Sequence, residues 1–236
     1  MNAQPAGAQP APRVTAIVAA AGRGTRLGAP LPKAFVDLGG STLLARSVAT
    51  LEASGVVDEI IVMVSADMES LARSVVSGAD VRFVHGGAER ADSIYNGLRA
   101  IPADDGVVLI HDAARCLTPP EMIARVAGAV MGGEVAAVPV VAVADTIKEV
   151  EEGAVVSTPS RARLRAVQTP QAFDLRALRR ANEAYFDSRP DFAATDDASL
   201  MEWFGARVAT VEGDPLAFKI TTPLDMRLAQ ALIHVR

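Results

Sequence analysis

The chain has 236 residues, half of them hydrophobic, and a formal net charge of −5. That length suits one α/β core, the acidic balance argues against a broad nucleic-acid surface, which needs cations to displace counterions, and Gly, Pro or charge cuts every apolar run short of the roughly 20 residues of a membrane span. Cys116 is the sole cysteine and the three histidines are scattered, which excludes an intramolecular disulfide and a Cys/His metal cluster and favours a cytoplasmic protein.

Residues 1–12 are rich in Ala, Gln, Pro and Gly and lack the basic and apolar regions of a secretion signal, so they read as a disordered tail ahead of a single domain over 13–236. Val14–Ala20 is a near-continuous apolar run, the pattern of a parallel strand covered on both faces. It breaks into a loop with Gly22, Gly24 and Gly28 among the cations Arg23, Arg26 and Lys33. The G-x-G-x-x-x-G spacing fits neither a P-loop, which needs Lys directly after its last Gly, nor a dinucleotide fingerprint, so another phosphate ligand is expected.

Helix-like and strand-like segments then alternate: a helix at Leu43–Ala53, a strand at Glu59–Val64, a helix at Met68–Val76, and a strand at Val81–Val84. A helix at Ser93–Ala100, a strand at Val107–His111, a helix at Pro119–Met131 and a strand at Ala136–Val140 continue the series. This rhythm predicts an α/β fold with a single doubly wound, mainly parallel sheet. Such sheets bind ligands beyond the carboxyl ends of their strands. The glycine loop, Gly86-Gly-Ala-Glu-Arg-Ala-Asp-Ser93 and His111-Asp-Ala-Ala-Arg115 all fall at such ends.

Val141–Val167 interrupts the rhythm with short β-prone pieces, Gly153 and Pro159, and reads either as a plain surface hairpin or as an interaction element. A helix near Leu175–Tyr185, a helix start at Thr195-Asp-Asp-Ala-Ser199 capped by Thr or Asp, a strand at Arg207–Val211 and a final helix after Pro223 complete the chain. Only Lys33, Lys148 and Lys219 among the 23 basic residues are lysines. A coding bias accounts for that as well as a need for a compact charge does.

Taken together, Ala20-Ala-Gly-Arg-Gly-Thr-Arg26, Pro32-Lys33, Gly86–Ser93, His111–Arg115, Asp145-Thr146, Arg161, Gln168-Thr-Pro-Gln171, Thr195–Ser199 and Lys219-Ile-Thr resemble the 2-C-methyl-D-erythritol 4-phosphate cytidylyltransferases of the non-mevalonate isoprenoid pathway. The likeness runs from about Val14 to Gln230, and the ordered set is specific where the glycine loop alone is shared across nucleotidyltransferases. Cys116, Ala88 and Ala217 depart from the family's usual Pro, acidic residue and Asn.

The resemblance implies a nucleotidyltransferase-type, Rossmann-like sheet with a protruding β-arm, and transfer of CMP from CTP to a polyol phosphate with release of pyrophosphate. Mg2+ or another divalent cation is implied as cofactor, held mostly by the CTP phosphates. Arg26 and Lys33 are implied to contact the triphosphate and stabilise the transition state, and Gly22 and Gly24 to let the loop backbone approach it. Ala20, Ala21, Gly87, Ala88 and Ser93 are implied to form the cytosine pocket; for Ser93 a helix cap is the competing reading. Asp112 matches the family's acidic residue near ribose or metal, a buried capping carboxylate being the alternative. Arg115, Thr146, Arg161, Thr169 and Lys219 are implied to hold the second substrate; Arg161 and Lys219 are also implied to be catalytic, Lys219 between the two phosphates to orient the attack. His111 reads as structural.

In the family, the counterpart of 141–167 interlocks two subunits, so a homodimer is implied. No nucleic acid or membrane partner is expected. Two other readings compete: a ribitol 5-phosphate cytidylyltransferase, which shares most of these motifs, and a non-catalytic nucleotide-binding protein, which has no need of both Lys33 and Lys219. More distant sugar-phosphate or molybdopterin nucleotidyltransferases share the glycine loop but not the Arg161 to Gln171 block.

Overall fold

A computed structural model describes residues 12–22, 27, 31–76 and 80–233. Gly24 and Arg26 lie outside the described residues, as do residues 1–11 of the expected tail. The sheet is built from β1 (Val14–Ala19), β2 (Glu59–Val64), β3 (Val81–His85), β4 (Val107–Asp112), β5 (Ala136–Ala142), β9 (Gln171–Asp174) and β10 (Val208–Glu212). Their spatial order is β10-β5-β9-β4-β1-β2-β3, and β8 (Arg165–Val167) pairs with β5.

All neighbours run parallel except β9, which lies antiparallel between β4 and β5, and β8, antiparallel on β5. The alternation of segments does not foresee β9. It has four residues, enters from the excursion rather than through a helix, and offers no period to read.

Successive residues of the central strands enter opposite cores. Ala16 and Val18 of β1 pack with Leu44, Val48 and Leu51 of α1 (Leu43–Ala53) and with Ile123 and Val126 of α4 (Pro120–Met131). Ile17 faces Ile94 and Leu98 of α3 (Arg90–Ala100), on the side also covered by Leu178 of α5 (Leu175–Ser188) and Met201 of α6 (Asp197–Trp203). Both faces are covered, so the strands carry no polar alternation. On α3, Gly97 allows a close approach: a Cβ there would stand 2.9 Å from Met63 Sδ and 3.1 Å from Ile17.

The winding runs outward from β1 through β2 to β3, and in the other direction from β4. The β1/β4 boundary is therefore the switch point of the sheet. The excursion contains a two-stranded hairpin, β6 (Glu149–Glu151) and β7 (Ala154–Ser157). Its turn places Glu152 at φ 49° and Gly153 at φ 81°, the left-handed pair that tight hairpins require. A second short helix, α2 (Glu69–Val75), and the last, α7 (Pro223–Ile233), complete the fold.

Candidate active site

Beyond the carboxyl ends of β1 and β4 lies a cleft of about 250 Å³. Ala19 stands opposite Asp112 in the parallel register of the two strands, and the Ala113 N–H donates to Ala19 O at 3.4 Å, so the loops that follow leave the sheet side by side. The first loop contributes Ala20, Ala21 and Gly22 to the lining. These residues leave backbone rather than side chain facing a ligand.

The loop after β3 contributes Gly87, Ala88, Glu89, Arg90 and Ser93. A Cβ on Gly86 would lie 2.7 Å from both Ala21 Cβ and Ser93 Oγ, and one on Gly87 would collide with Asp92 Cβ. The Gly87 N–H donates to Ser93 Oγ, and the Ser93 hydroxyl donates to Glu89 O, each across 3.0 Å. Helix α3 starts at Arg90, three residues before the sequence-based start, with Glu89 in the N-cap position and its N–H donating to the Asp92 carboxylate at 2.8 Å. Ser93 is thus not the cap; its hydroxyl fixes the loop.

Lys33 heads one turn of 3-10 helix, closed by the Phe35 N–H donating to Pro32 O at 2.9 Å and anchored by buried Ala34 and Phe35. From that turn Lys33 and Ala34 line the cleft. On the opposite side in sequence, buried Ile220 donates its N–H to Ala114 O at 2.9 Å, which ties the segment after β10 to the loop after β4. Lys219, the preceding residue, then reaches to 2.9 Å between its Nζ and Asp112 Oδ2.

Asp112 is the focus of the charge distribution. Arg115 Nε lies 3.8 Å from its Oδ2, and Arg90 Nε 3.9 Å from its Oδ1. Burial works against ionisation of this carboxyl, but Lys219 and Arg90, with Arg115 behind them, outweigh it and hold its pKa below the ordinary carboxylate value. Arg90 in turn donates from Nη2 to Asp197 Oδ2 at 2.6 Å. Burial raises the pKa of Asp197, and Arg90 opposes the rise.

Arg115 and Thr169 are committed to the scaffold around Asp112. Arg115 donates from Nη1 to Ala217 O (2.7 Å) and from Nη2 to Val167 O (3.3 Å), and neither it nor Thr169 lines the cleft. The buried Thr169 hydroxyl accepts from the Asp112 N–H at 3.0 Å and lies 3.2 Å from His111 Nδ1. His111 is completely buried with Nε2 unpartnered, and burial brings its pKa down to about 4. The imidazole is therefore neutral at physiological pH, a structural group as the sequence suggests.

Thr146 and Arg161 lie at the base of the hairpin. Arg161 donates from Nη1 to Ala144 O at 2.7 Å, both residues are exposed, and neither lines the cleft formed by its own chain. Glu89 and Arg90 also line the cleft. Both fall within the candidate segment Gly86–Ser93, but the sequence assigns neither an individual role; what hides that of Arg90 is its partner, 107 residues away in sequence.

Asp112 and Glu89 are the acidic side chains in the lining, and among the described residues no group of three or more His, Cys, Asp or Glu is placed to hold a metal ion. This donor set fits Mg2+, which is commonly bound through one or two carboxylates and the phosphates of its substrate. A second hollow of about 240 Å³, beside Cys116 and Arg46, has no lysine and no carboxylate among the described residues that line it. The Cys116 thiol is pushed up to about 12 by burial, which leaves no nucleophilic thiolate at neutral pH.

Residues 14–235 match the family model described as IspD, 2-C-methyl-D-erythritol 4-phosphate cytidylyltransferase. A relative of that name from Corynebacterium diphtheriae is 60% identical over 227 residues, covering 93% of each chain. One from Nocardia farcinica is 53% identical, covering 94% of this chain and 95% of its own. The crystal structure of the enzyme of that name from Thermus thermophilus superposes with a TM-score of 0.79 at 36% identity, covering 94% of this chain and 99% of its own. The 4-diphosphocytidyl-2C-methyl-D-erythritol synthase of Anaerococcus prevotii gives a TM-score of 0.84 at 29% identity, covering 95% and 97%.

Proposed function

The chain belongs to the 2-C-methyl-D-erythritol 4-phosphate cytidylyltransferase family, and from that premise we propose how the cleft divides the work of the reaction. The protein transfers CMP from CTP to 2-C-methyl-D-erythritol 4-phosphate, giving 4-diphosphocytidyl-2-C-methyl-D-erythritol and pyrophosphate in isoprenoid precursor biosynthesis. An oxygen of the acceptor phosphate attacks the α-phosphorus of CTP, and the bond to the β-phosphate breaks with its electrons leaving on pyrophosphate. Both reactants are anions, so catalysis rests on placed cations rather than on a nucleophile from the protein.

The observation that carries this division is the convergence of Lys33, Lys219 and Asp112 in a cleft whose lining, apart from Glu89, Arg90 and Met63, is otherwise Ala, Gly and Ser. Lys33, with Arg26, neutralises the triphosphate and the charge that builds at the α-phosphorus. The backbones of Ala20, Ala21, Gly87 and Ala88 read the cytosine edge, a task that Ala88 meets without a side chain. Lys219, oriented by Asp112, stands between the two phosphates and brings the attacking oxygen into line. Asp112 and the phosphates would hold Mg2+, which when bound adds Lewis-acid charge stabilisation at the phosphates.

A homodimer is the second part of the proposal. The hairpin exposes Val150 and Val155, each 59% accessible, directly opposite each other, and Val156 beside them. A two-stranded hairpin is at best marginally stable alone in water, so this apolar surface suits burial against a second copy. Such an exchange would carry Thr146 and Arg161 to the neighbour's cleft, where Arg161 grips the acceptor phosphate as a planar fork. A cytoplasmic location completes the reading, since CTP is supplied there and the single cysteine calls for no oxidising compartment.

Pyrophosphate release from CTP, measured with 2-C-methyl-D-erythritol 4-phosphate and with ribitol 5-phosphate in parallel, tests the reading. Release with the first acceptor and little with the second is expected. The reverse preference would reassign the acceptor pocket, and CTP binding without release from either would make the protein a nucleotide-binding module.

A further inference from the structure

The Thr195–Ser199 motif has so far served only to start a helix, yet its second aspartate is connected to the cleft. Asp197 is the first residue of α6 and 3% exposed, and a buried carboxylate of this kind persists only with a partner. Its partner is Arg90, at 2.6 Å. The position of Asp197 is itself fixed. The neighbouring Asp196 caps α6 by accepting from the Ser199 N–H at 2.8 Å and also accepts from Gln171 Nε2 at 2.6 Å, while Gln171 Oε1 accepts from the Ala198 N–H at 3.1 Å. Helix α6 is therefore fastened to β9, in the centre of the sheet.

Arg90 has two carboxylates within reach and is bound to one. It stands 3.9 Å from Asp112 Oδ1, beyond hydrogen-bond distance, although Asp112 lies in the same cleft and carries a charge that attracts it. Cation and carboxylate thus alternate along a line from Lys219 through Asp112 and Arg90 to Asp197. We propose that Asp197 is a positioning residue for the transfer reaction: it draws Arg90 away from Asp112, so that Asp112 stays free to orient Lys219 and to meet the substrate. The inference rests on the reading of the cleft given above.

Asp197→Asn keeps the size of the side chain and removes its charge. Released, Arg90 closes on the remaining carboxylate, and Asp112 is then shared between Arg90 and Lys219. Measured well below the melting temperature of the variant, kcat/KM for CTP falls roughly tenfold or more, and most of the fall lies in kcat because Lys219 acts chiefly in the transition state. Adding Arg90→Gln to Asp197→Asn removes the competing cation together with its restraint, and kcat rises several-fold above that of Asp197→Asn alone.

A merely structural pair predicts a different pattern, a lowered melting temperature for Asp197→Asn with kcat and KM unchanged, and that result would overturn the proposal. A folded double variant no faster than Asp197→Asn would overturn it as well. If Asp197→Asn does not fold, the double variant, whose neutral pair leaves no unpaired buried charge, is compared with Arg90→Gln: equal kcat is expected because Asp197 acts through Arg90, and a further loss above about threefold would overturn the proposal. Activity of the unmodified protein tests the reading of the cleft, and the ratio between variants tests Asp197, so the two fail separately.

Discussion

Lys219 Nζ lies 2.9 Å from Asp112 Oδ2, and the carboxylate that holds it is braced from behind by the Arg115 guanidinium and by the Thr169 hydroxyl on its backbone N–H. The lysine therefore enters the cleft already aimed, which makes its charge most useful where charge develops during the reaction. Lys219→Ala is expected to lower kcat by about 10²–10³, in line with the loss of one preorganised donor, while CTP affinity changes much less. Lys33→Ala is expected to do the same. Steady-state rates combined with calorimetric CTP binding check this; near-normal turnover by either variant would remove it from the mechanism.

Gly87 tests the loop proposed to face the nucleotide. A methyl group there would run into Asp92 on the first turn of α3, and relief would shift the N–H that donates to Ser93 Oγ. Gly87→Ala is expected to raise KM for CTP by about tenfold with little change for the acceptor. Equal weakening of both substrates would argue against a nucleotide-specific role for this loop.

Arg161 and Lys33 belong to different parts of the chain, and of the two Lys33 lines the cleft of its own chain. If the arms exchange, homodimers of Lys33→Ala or Arg161→Ala are each nearly inactive, whereas a mixed dimer contains one site with both defects and one with neither. Refolding the two variants together should recover substantial activity. No recovery from dimers shown to be mixed would place both residues in one site of one chain.

His111 gives the fold a defined acid sensitivity. Its pKa is about 4 in the fold and 6.5 ordinarily, so between these values the unfolded chain holds a proton that the folded chain does not. Stability therefore rises with pH across that window and is lost on acidification through it, by about 3 kcal/mol in all. Urea unfolding of metal-free protein at pH 7 and pH 4.5 should show this loss, and His111→Asn should flatten it. An unchanged slope in the variant would assign the acid sensitivity to the carboxylates instead.

Much of this was written in the chain itself. Apolar strand runs, glycine loops and alternating segments determine an α/β sheet with its ligand loops at the strand ends, because hydrophobic periodicity and turn chemistry are local properties. Lys33, Asp112 and Lys219, named from the motifs that carry the family resemblance, stand together in the cleft. What the sequence left undecided depends on distance in space. The four-residue β9 takes its place between β4 and β5 only through pairing with both. Arg115 and Thr169, motif residues like the others, turn toward backbone groups around Asp112 because buried donors and acceptors must find partners. The pairing of Arg90 with Asp197 exists only once the fold has carried the two together across 107 positions.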